Sequence, residues 1–229
     1  MATAIVLSAG SGKRMKSDIA KQYIKIKEKE VLYYSLKAFN ENENITDIIL
    51  VVRPEDEQYC RNNIIDKYNF NKVTHICMGG VERYNSVYNG LKLIEDDKEI
   101  VLVHDGARPF ISNDMINKSI ECAKEHKACT LGMPVKDTIK IVNDNMEGVE
   151  TPDRKKTYLI QTPQTFEVGL LKESYEKMFQ NENHNITDDT MLVEQYSGVR
   201  SRVIEGSYEN IKITTPEDKI IAEIFLEKI

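Results

Sequence analysis

ATAIVLSAGSGKRMKSDIAKQY, residues 2–23, joins an apolar run to a loop carrying Gly10, Gly12 and the cations Lys13, Arg14, Lys16 and Lys21. An apolar run that breaks at a glycine turn reads as a buried strand feeding the first βα unit of an α/β fold. The loop is not a phosphate loop of the GxxxxGK[ST] kind. It is not the dinucleotide fingerprint either, because Met15 stands where the third glycine belongs. Gly10 and Gly12 still let backbone N–H groups converge on an anion, and Arg14 and Lys21 can add side-chain charge. A polyphosphate is the ligand this suits, beside the simpler reading of a glycine turn with solvated lysines.

The rest of the chain repeats the same rhythm. DIILVVR, VTHICM and EIVLVH are short and apolar, as parallel strands covered on both faces require. Leu32, Leu36 and Phe39 fall at helical spacing, and the stretches 83–95 and 113–126 also read as helices. Near the end Thr215 caps a helix that starts at Pro216, with Glu217 and Asp218 at its positive end; Ile221, Ile224 and Phe225 are expected to face the core. The expectation is an α/β fold with a mostly parallel sheet, helices on both faces, and ligands at the carboxyl ends of the strands. Residues 136–160 break the alternation and read as an extended β-arm on a single domain spanning 1–229.

The chain has 229 residues, 31 basic against 37 acidic, which argues against general nucleic-acid binding. No apolar stretch approaches a membrane span and no secretory signal is evident, so a cytoplasmic protein without membrane contact is expected. Cys60, Cys77, Cys122 and Cys129 lack metal-site spacing and read as reduced, small apolar residues. The four histidines are scattered, which speaks against a histidine metal site.

Further chemistry gathers at strand ends. In EIVLVHDGARPF, Asp105 can approach Mg²⁺ or a ligand hydroxyl and Arg108 offers a fork for phosphate, although an Asp-Gly turn explains the pair as well. His104 reads as a packing or locally bonded residue. Gly79 and Gly80 in GGVERYNSV suit close approach of a base or sugar, or a turn. QTPQTF offers exposed hydroxyl and amide groups. Lys212 sits in a strand-like NIKITTP opposite Ile211 and Ile213, and Thr187, Asp188 and Asp189 form a helix N-cap.

In order along nearly the whole chain, AGSGKRM…KQY, GGVERYNSV, VHDGARPF, PVKDTIK, TPDR, QTPQTF, ITDD and GSYENIKITTPED resemble the 2-C-methyl-D-erythritol 4-phosphate cytidylyltransferase family. The resemblance implies a Rossmann-like nucleotidyltransferase fold. The implied reaction is that of CTP with methylerythritol phosphate, giving the CDP-alcohol and pyrophosphate in non-mevalonate isoprenoid biosynthesis. Mg²⁺ is implied as cofactor, held mainly by the CTP phosphates with Asp105 near. Arg14 and Lys21 would stabilise the transition state; Ser8, Ala9, Gly10, Ser11, Gly12, Gly80 and Ser86 would hold the nucleotide. Asp105, Arg108, Thr162, Thr187 and Lys212 would line the acceptor side, Lys212 with a catalytic part. Thr138 and a catalytic Arg154, on the arm, would reach across a homodimer to the acceptor phosphate. Ser8 stands where the family often has alanine, and Val81 where some members have aspartate.

The reaction makes sense from the residues. An acceptor that is already a phosphate anion needs no general base, so a chain poor in histidine suffices; two anions must instead be brought together by cations and backbone donors. Two alternatives stand beside it: a ribitol 5-phosphate cytidylyltransferase, disfavoured by the HDGARPF, PVKDTIK and ITDDTMLVE stretches, and a non-catalytic nucleotide-binding regulator.

Overall fold

The computed structural model of the chain describes residues 1–10, 20–181 and 185–227. Strand β1 (Ala2–Ser8) is followed by a 3-10 turn at Lys21–Tyr23 and a small hairpin, β2 (Lys25–Ile26) with β3 (Lys29–Glu30). Next come α1 (Val31–Glu41), β4 (Ile45–Val52), and a short α2 (Glu57–Cys60) prolonged by a π-turn over Arg61–Asp66. The alternation continues through β5 (Val73–Met78), α3 (Arg83–Leu91), β6 (Ile100–Asp105), α4 (Asn113–His126) and β7 (Ala128–Pro134). After a separate hairpin of β8 (Ile141–Val142) and β9 (Gly148–Glu150), the chain forms β10 (Tyr158–Glu167), α5 (Val168–Phe179), α6 (Asp189–Ser197), β11 (Arg202–Glu205) and α7 (Pro216–Leu226).

Seven strands form one sheet in the order β11-β7-β10-β6-β1-β4-β5. All neighbours pair in parallel except β10, which runs antiparallel to both β6 and β7. The mostly parallel sheet expected from the sequence is therefore present. Alternate residues of β1 go to opposite faces, as a pleated strand requires. Ala4 and Val6 pack with Leu32, Leu36 and Phe39 of α1 and Ile116 and Ile120 of α4. Ile5 packs on the other side with Val87 and Leu91 of α3 and Leu171 and Tyr175 of α5. No described helix is long and apolar enough to cross a membrane. All four cysteines are free thiols, Cys60 and Cys129 buried.

Several local expectations are corrected. Helix α3 stops at Leu91 and not at residue 95: the N–H groups of Leu93 and Ile94 turn back to the carbonyls of Gly90 and Leu91, which lets Ile94 drop into the core. QTPQTF is not exposed. It lies in β10, between β6 and β7, and Gln161, Thr162, Gln164 and Thr165 are all buried. NIKITTP is not a strand either, although Ile213 is buried; its backbone is pinned by Ile213 N–H donating to the Ala107 carbonyl. Of the arm segment 136–160, residues 141–150 form the exposed β8–β9 hairpin, while 158–160 already belong to β10 and pair with β7.

The start of α7 is as expected: the Thr215 side chain accepts from the backbone of Asp218, whose own side chain accepts from the Thr215 N–H. Its orientation is not. Ile221 and Ile224 are 41% and 51% exposed, and the helix instead buries Ala222 against Ile26, Val31 and Ile213, with Phe225 edge-on to Phe110. The surface beneath α7 is a small patch of Ile26, Val31 and Ile213, too narrow to cover a wide apolar face. Accordingly, Ile224→Gln should change the urea unfolding free energy by no more than about 0.5 kcal/mol. Ala222→Leu should lower it by about 1–3 kcal/mol through overpacking. The reverse ranking would reject this packing.

Candidate active site

β1 and β6 are parallel neighbours, with Leu7 opposite Asp105, and both end at the same rim of the sheet. There a cleft of about 350 Å³ opens, as expected at the carboxyl ends of parallel strands. One wall is the end of β1, Ser8, Ala9 and Gly10. Lys21 and Gln22 close it from the returning chain, Gly80 to Arg83 and Ser86 form the opposite wall, and Asp105 and Lys212 lie within.

Close backbone approach shapes this cleft. A Cβ on Gly79 would run into the Cβ of Ala9, and one on Gly80 into that of Asn85. The buried Gln22 side chain clamps the β1 turn, its Nε2 donating to the Ser8 carbonyl at 2.6 Å and the Gly10 carbonyl at 3.3 Å. The Ser86 hydroxyl accepts from Gly80 N–H (3.0 Å) and donates to the Glu82 carbonyl (3.3 Å), so it holds its own loop in shape.

Asp105 is the electrostatic centre. Its Oδ2 lies 2.7 Å from Lys212 Nζ and 3.9 Å from Arg108 Nε, and its Oδ1 lies 3.6 Å from Arg83 Nε. Burial works against the charged carboxylate, but Lys212, Arg83 and Arg108 outweigh it and hold the group well below the usual carboxylate range. Arg83 is anchored from behind, Nη1 donating to Asp189 Oδ2 at 2.7 Å. Burial lowers its pKa, yet Asp189 and Asp105 together raise it above the ordinary value. Arg108 donates through Nη1 to the Asn210 carbonyl, and burial lowers its pKa.

Beneath Asp105 the strand is held by a neutral chain of hydrogen bonds. Asp105 N–H donates to Thr162 Oγ1, that hydroxyl donates to His104 Nδ1, and His104 Nε2–H donates to the Arg108 carbonyl. The fully buried His104 is pushed down to about 4 by desolvation. It packs and bonds locally, as its sequence context suggests.

The structure thus brings Ser8, Ala9, Gly10, Lys21, Gly80, Ser86, Asp105 and Lys212 to one cleft. Arg108 and Thr162 sit behind Asp105 and do not line it. Thr138 and Arg154 are exposed on the arm, where Arg154 Nη1 donates to the Lys136 carbonyl; Thr187 is exposed before α6, its hydroxyl directed to Met191. Ser11, Gly12 and Arg14 lie outside the described residues. Sequence reasoning missed Gln22, Arg83 and Asp189. Their signal was faint: an amide next to Lys21, an arginine inside GGVERYNSV, and an aspartate read only as part of a cap.

A cleft at the end of a mostly parallel sheet, walled by glycine turns and edged with Lys21 and Lys212, suits an anionic nucleotide, and the family match makes the protein a nucleotidyltransferase. A family model described as 2-C-methyl-D-erythritol 4-phosphate cytidylyltransferase matches residues 2–228, and the chain belongs to that family. Relatives of that name include one from Clostridioides difficile, 50% identical across 99% of this chain and 94% of its own length. Another, from Clostridium botulinum, is 48% identical across 98% and 97%. Among solved structures, the 4-diphosphocytidyl-2C-methyl-D-erythritol synthase of Anaerococcus prevotii superposes with a TM-score of 0.86 at 37% identity, covering 98% of this chain and 95% of that one. The Francisella tularensis cytidylyltransferase gives 0.80 at 32%, covering 98% and 99%.

His104 makes stability depend on pH. Between the unfolded value of about 6.5 and the folded value of about 4, the unfolded chain takes up a proton that the folded chain refuses. Stability is therefore complete above this window and falls as pH drops through it, by on the order of 3 kcal/mol at most. Unfolding free energies measured across that range should show a shallower fall for His104→Gln than for the native chain. Equal slopes would assign the acid sensitivity to other groups.

Proposed function

We propose that this chain transfers the cytidylyl group of CTP to the phosphate of 2-C-methyl-D-erythritol 4-phosphate. The products are 4-diphosphocytidyl-2-C-methyl-D-erythritol and pyrophosphate, a step of non-mevalonate isoprenoid biosynthesis. The observation that carries the reading is one cleft holding Gly10, Lys21, Gly80, Asp105 and Lys212 in a chain whose family match spans residues 2–228. An acceptor phosphate oxygen attacks the α-phosphorus. The bond from that phosphorus to the bridging oxygen breaks, and pyrophosphate leaves with the electron pair.

The residues divide the work. Ser8, Ala9, Gly10, Gly80 and Ser86 hold the nucleotide, with Ser11 and Gly12 assigned to the same task by their place in the motif. Arg14 and Lys21 stabilise negative charge as it builds at the α-phosphate. Lys212 and Asp105 set the floor on which the acceptor meets the nucleotide, Arg108 and Thr162 brace Asp105, and Thr187 contacts the acceptor. Among the described residues no three metal-ligating side chains cluster, and Asp105 is already paired with cations. That donor set suits an Mg²⁺ carried mainly by the triphosphate, with Asp105 as the nearby carboxylate. When bound, the ion would offset phosphate charge.

The reading extends to assembly. The β8–β9 hairpin exposes Ile141, Val142 and Val149, and an isolated two-stranded hairpin is marginal in water, so it needs a partner surface. A twofold homodimer supplies one, with Arg154 and Thr138 of one subunit serving the site of the other. The enzyme is then a single cytoplasmic domain with a dimerisation arm over 136–160, without nucleic-acid or membrane partners.

Pyrophosphate release with CTP, Mg²⁺ and methylerythritol phosphate tests the activity, and equal or faster turnover with ribitol 5-phosphate would overturn the acceptor. Lys21→Ala should lower kcat roughly a hundredfold, the scale of about 3 kcal/mol for one lost transition-state donor, while weakening CTP binding less. Near-normal kcat would remove Lys21 from catalysis.

A complementation experiment addresses the shared site. Lys21→Ala and Arg154→Ala homodimers should each be nearly inactive. After subunit exchange in equal mixture, half the dimers are hybrids with one intact site, so about a quarter of native activity should return. Confirmed exchange without recovered activity would put Arg154 outside the partner's site.

A further inference from the structure

Arg83 opens helix α3 at the end of the GGVE wall, and its guanidinium works in two directions. On the cleft side Nε lies 3.6 Å from Asp105 Oδ1. On the far side Nη1 is 2.7 Å from Asp189 Oδ2. Asp189 is only 1% exposed and does not line the cleft. It is fixed from behind: its Oδ1 accepts from Tyr175 Oη at 2.6 Å, and its N–H, with that of Thr190, donates to Gln164 Oε1 at 2.8 and 3.2 Å. Gln164 in turn donates to Asp188 Oδ2. The turn that starts α6 is therefore seated on β10 and α5, and Arg83 joins it to the nucleotide wall.

We propose that Arg83 is a positioning residue for the transfer. Through Asp189 it registers the 187–190 turn, and with it the acceptor, against the wall that holds the nucleotide. The inference rests on the activity proposed above and deepens it. A buried ion pair adds little net stability over well-packed apolar side chains, so registration of two segments is the property this bridge supplies. Registration matters here because a displacement of about 1 Å between reacting groups can lower a rate by about a hundredfold. Two carboxylates held by different nitrogens of one planar fork is a task for arginine; a lysine ammonium, a point charge, satisfies one side at a time.

Arg83→Lys keeps the charge and breaks the bridge, which separates registration from simple attraction of anions. For Arg83→Lys and Asp189→Asn, kcat/KM for methylerythritol phosphate should fall about 10- to 100-fold, the scale of one hydrogen bond to a charged group. CTP affinity measured by calorimetry without acceptor should stay within about threefold, below the effect of such a bond. The double variant should be no worse than the poorer single one, because both remove the same bridge. Native acceptor kinetics in Arg83→Lys, or equal loss of CTP affinity and acceptor efficiency, would overturn the proposal. If Asp189→Asn does not fold, Tyr175→Phe loosens the same carboxylate without touching the cleft and should give a smaller loss of the same kind; unchanged kinetics there, with native kinetics in Arg83→Lys, would overturn it equally. A native chain that releases no pyrophosphate sinks the activity and this inference with it. A native chain that turns over beside an unimpaired Arg83→Lys sinks the inference alone.

Discussion

The buried carboxylate of Asp105 is the point on which the site turns. Lys212, Arg83 and Arg108 reach it from three separate stretches of chain, each along a path set by other bonds. Ile213 N–H on the Ala107 carbonyl fixes the approach of Lys212, Asp189 fixes that of Arg83, and the Asn210 carbonyl holds Arg108. Taking such charges out of water is unfavourable by several kcal/mol per ion, which only close pairing offsets. Removing the carboxylate would leave cations facing one another with nothing between them. The arrangement also keeps positive charge ready at the cleft rim of a protein that is acidic as a whole, which favours an anionic ligand there.

The glycines contribute a different constraint. Gly79 and Gly80 leave room for two backbones to touch, and Gln22 holds the opposite turn by its carbonyls. Much of the walls is thus main chain, held by the Gln22 amide on one side and the Ser86 hydroxyl on the other. Side-chain charge in the cleft comes from a few cations and from the carboxylates of Glu82 and Asp105. That division suits a reaction in which the nucleophile arrives already charged and needs only to be placed.

Much of this was legible before any coordinates. Apolar, β-branched runs gave the strands, because burial on both faces leaves no room for alternation, and Thr215-Pro216 gave the start of α7 through local bonding alone. What failed depended on non-local partners. The polar QTPQTF segment looks exposed because its amides and hydroxyls have no visible partner in sequence; in the fold Gln161 serves Ser207, Thr162 serves His104, and Gln164 serves Asp188 and Asp189. Ile221 and Ile224 were misplaced because an apolar stripe tells that a face seeks cover, not how large a surface lies below. In the site, Lys21 and Asp105 could be read from the glycine loop and a strand end, whereas Lys212 came only through the family resemblance, since its segment is not a strand. Arg83 and Asp189 could not, since each makes sense only through the other.

The reversed direction of β10 has a consequence for how the family's architecture can vary. Tyr158 at the start of β10 pairs with Pro134 at the end of β7, so the intervening segment leaves and re-enters the sheet at adjacent positions. Both roots lie at the rim where β6 ends, as the bond from Asp105 to Thr162 records. An excursion whose ends are already joined by a ladder can lengthen, shorten or change sequence without shifting the register of any strand. The exposed tip of the excursion, residues 141–150, can therefore vary in length and sequence while Thr138 and Arg154, nearer its roots, keep their places.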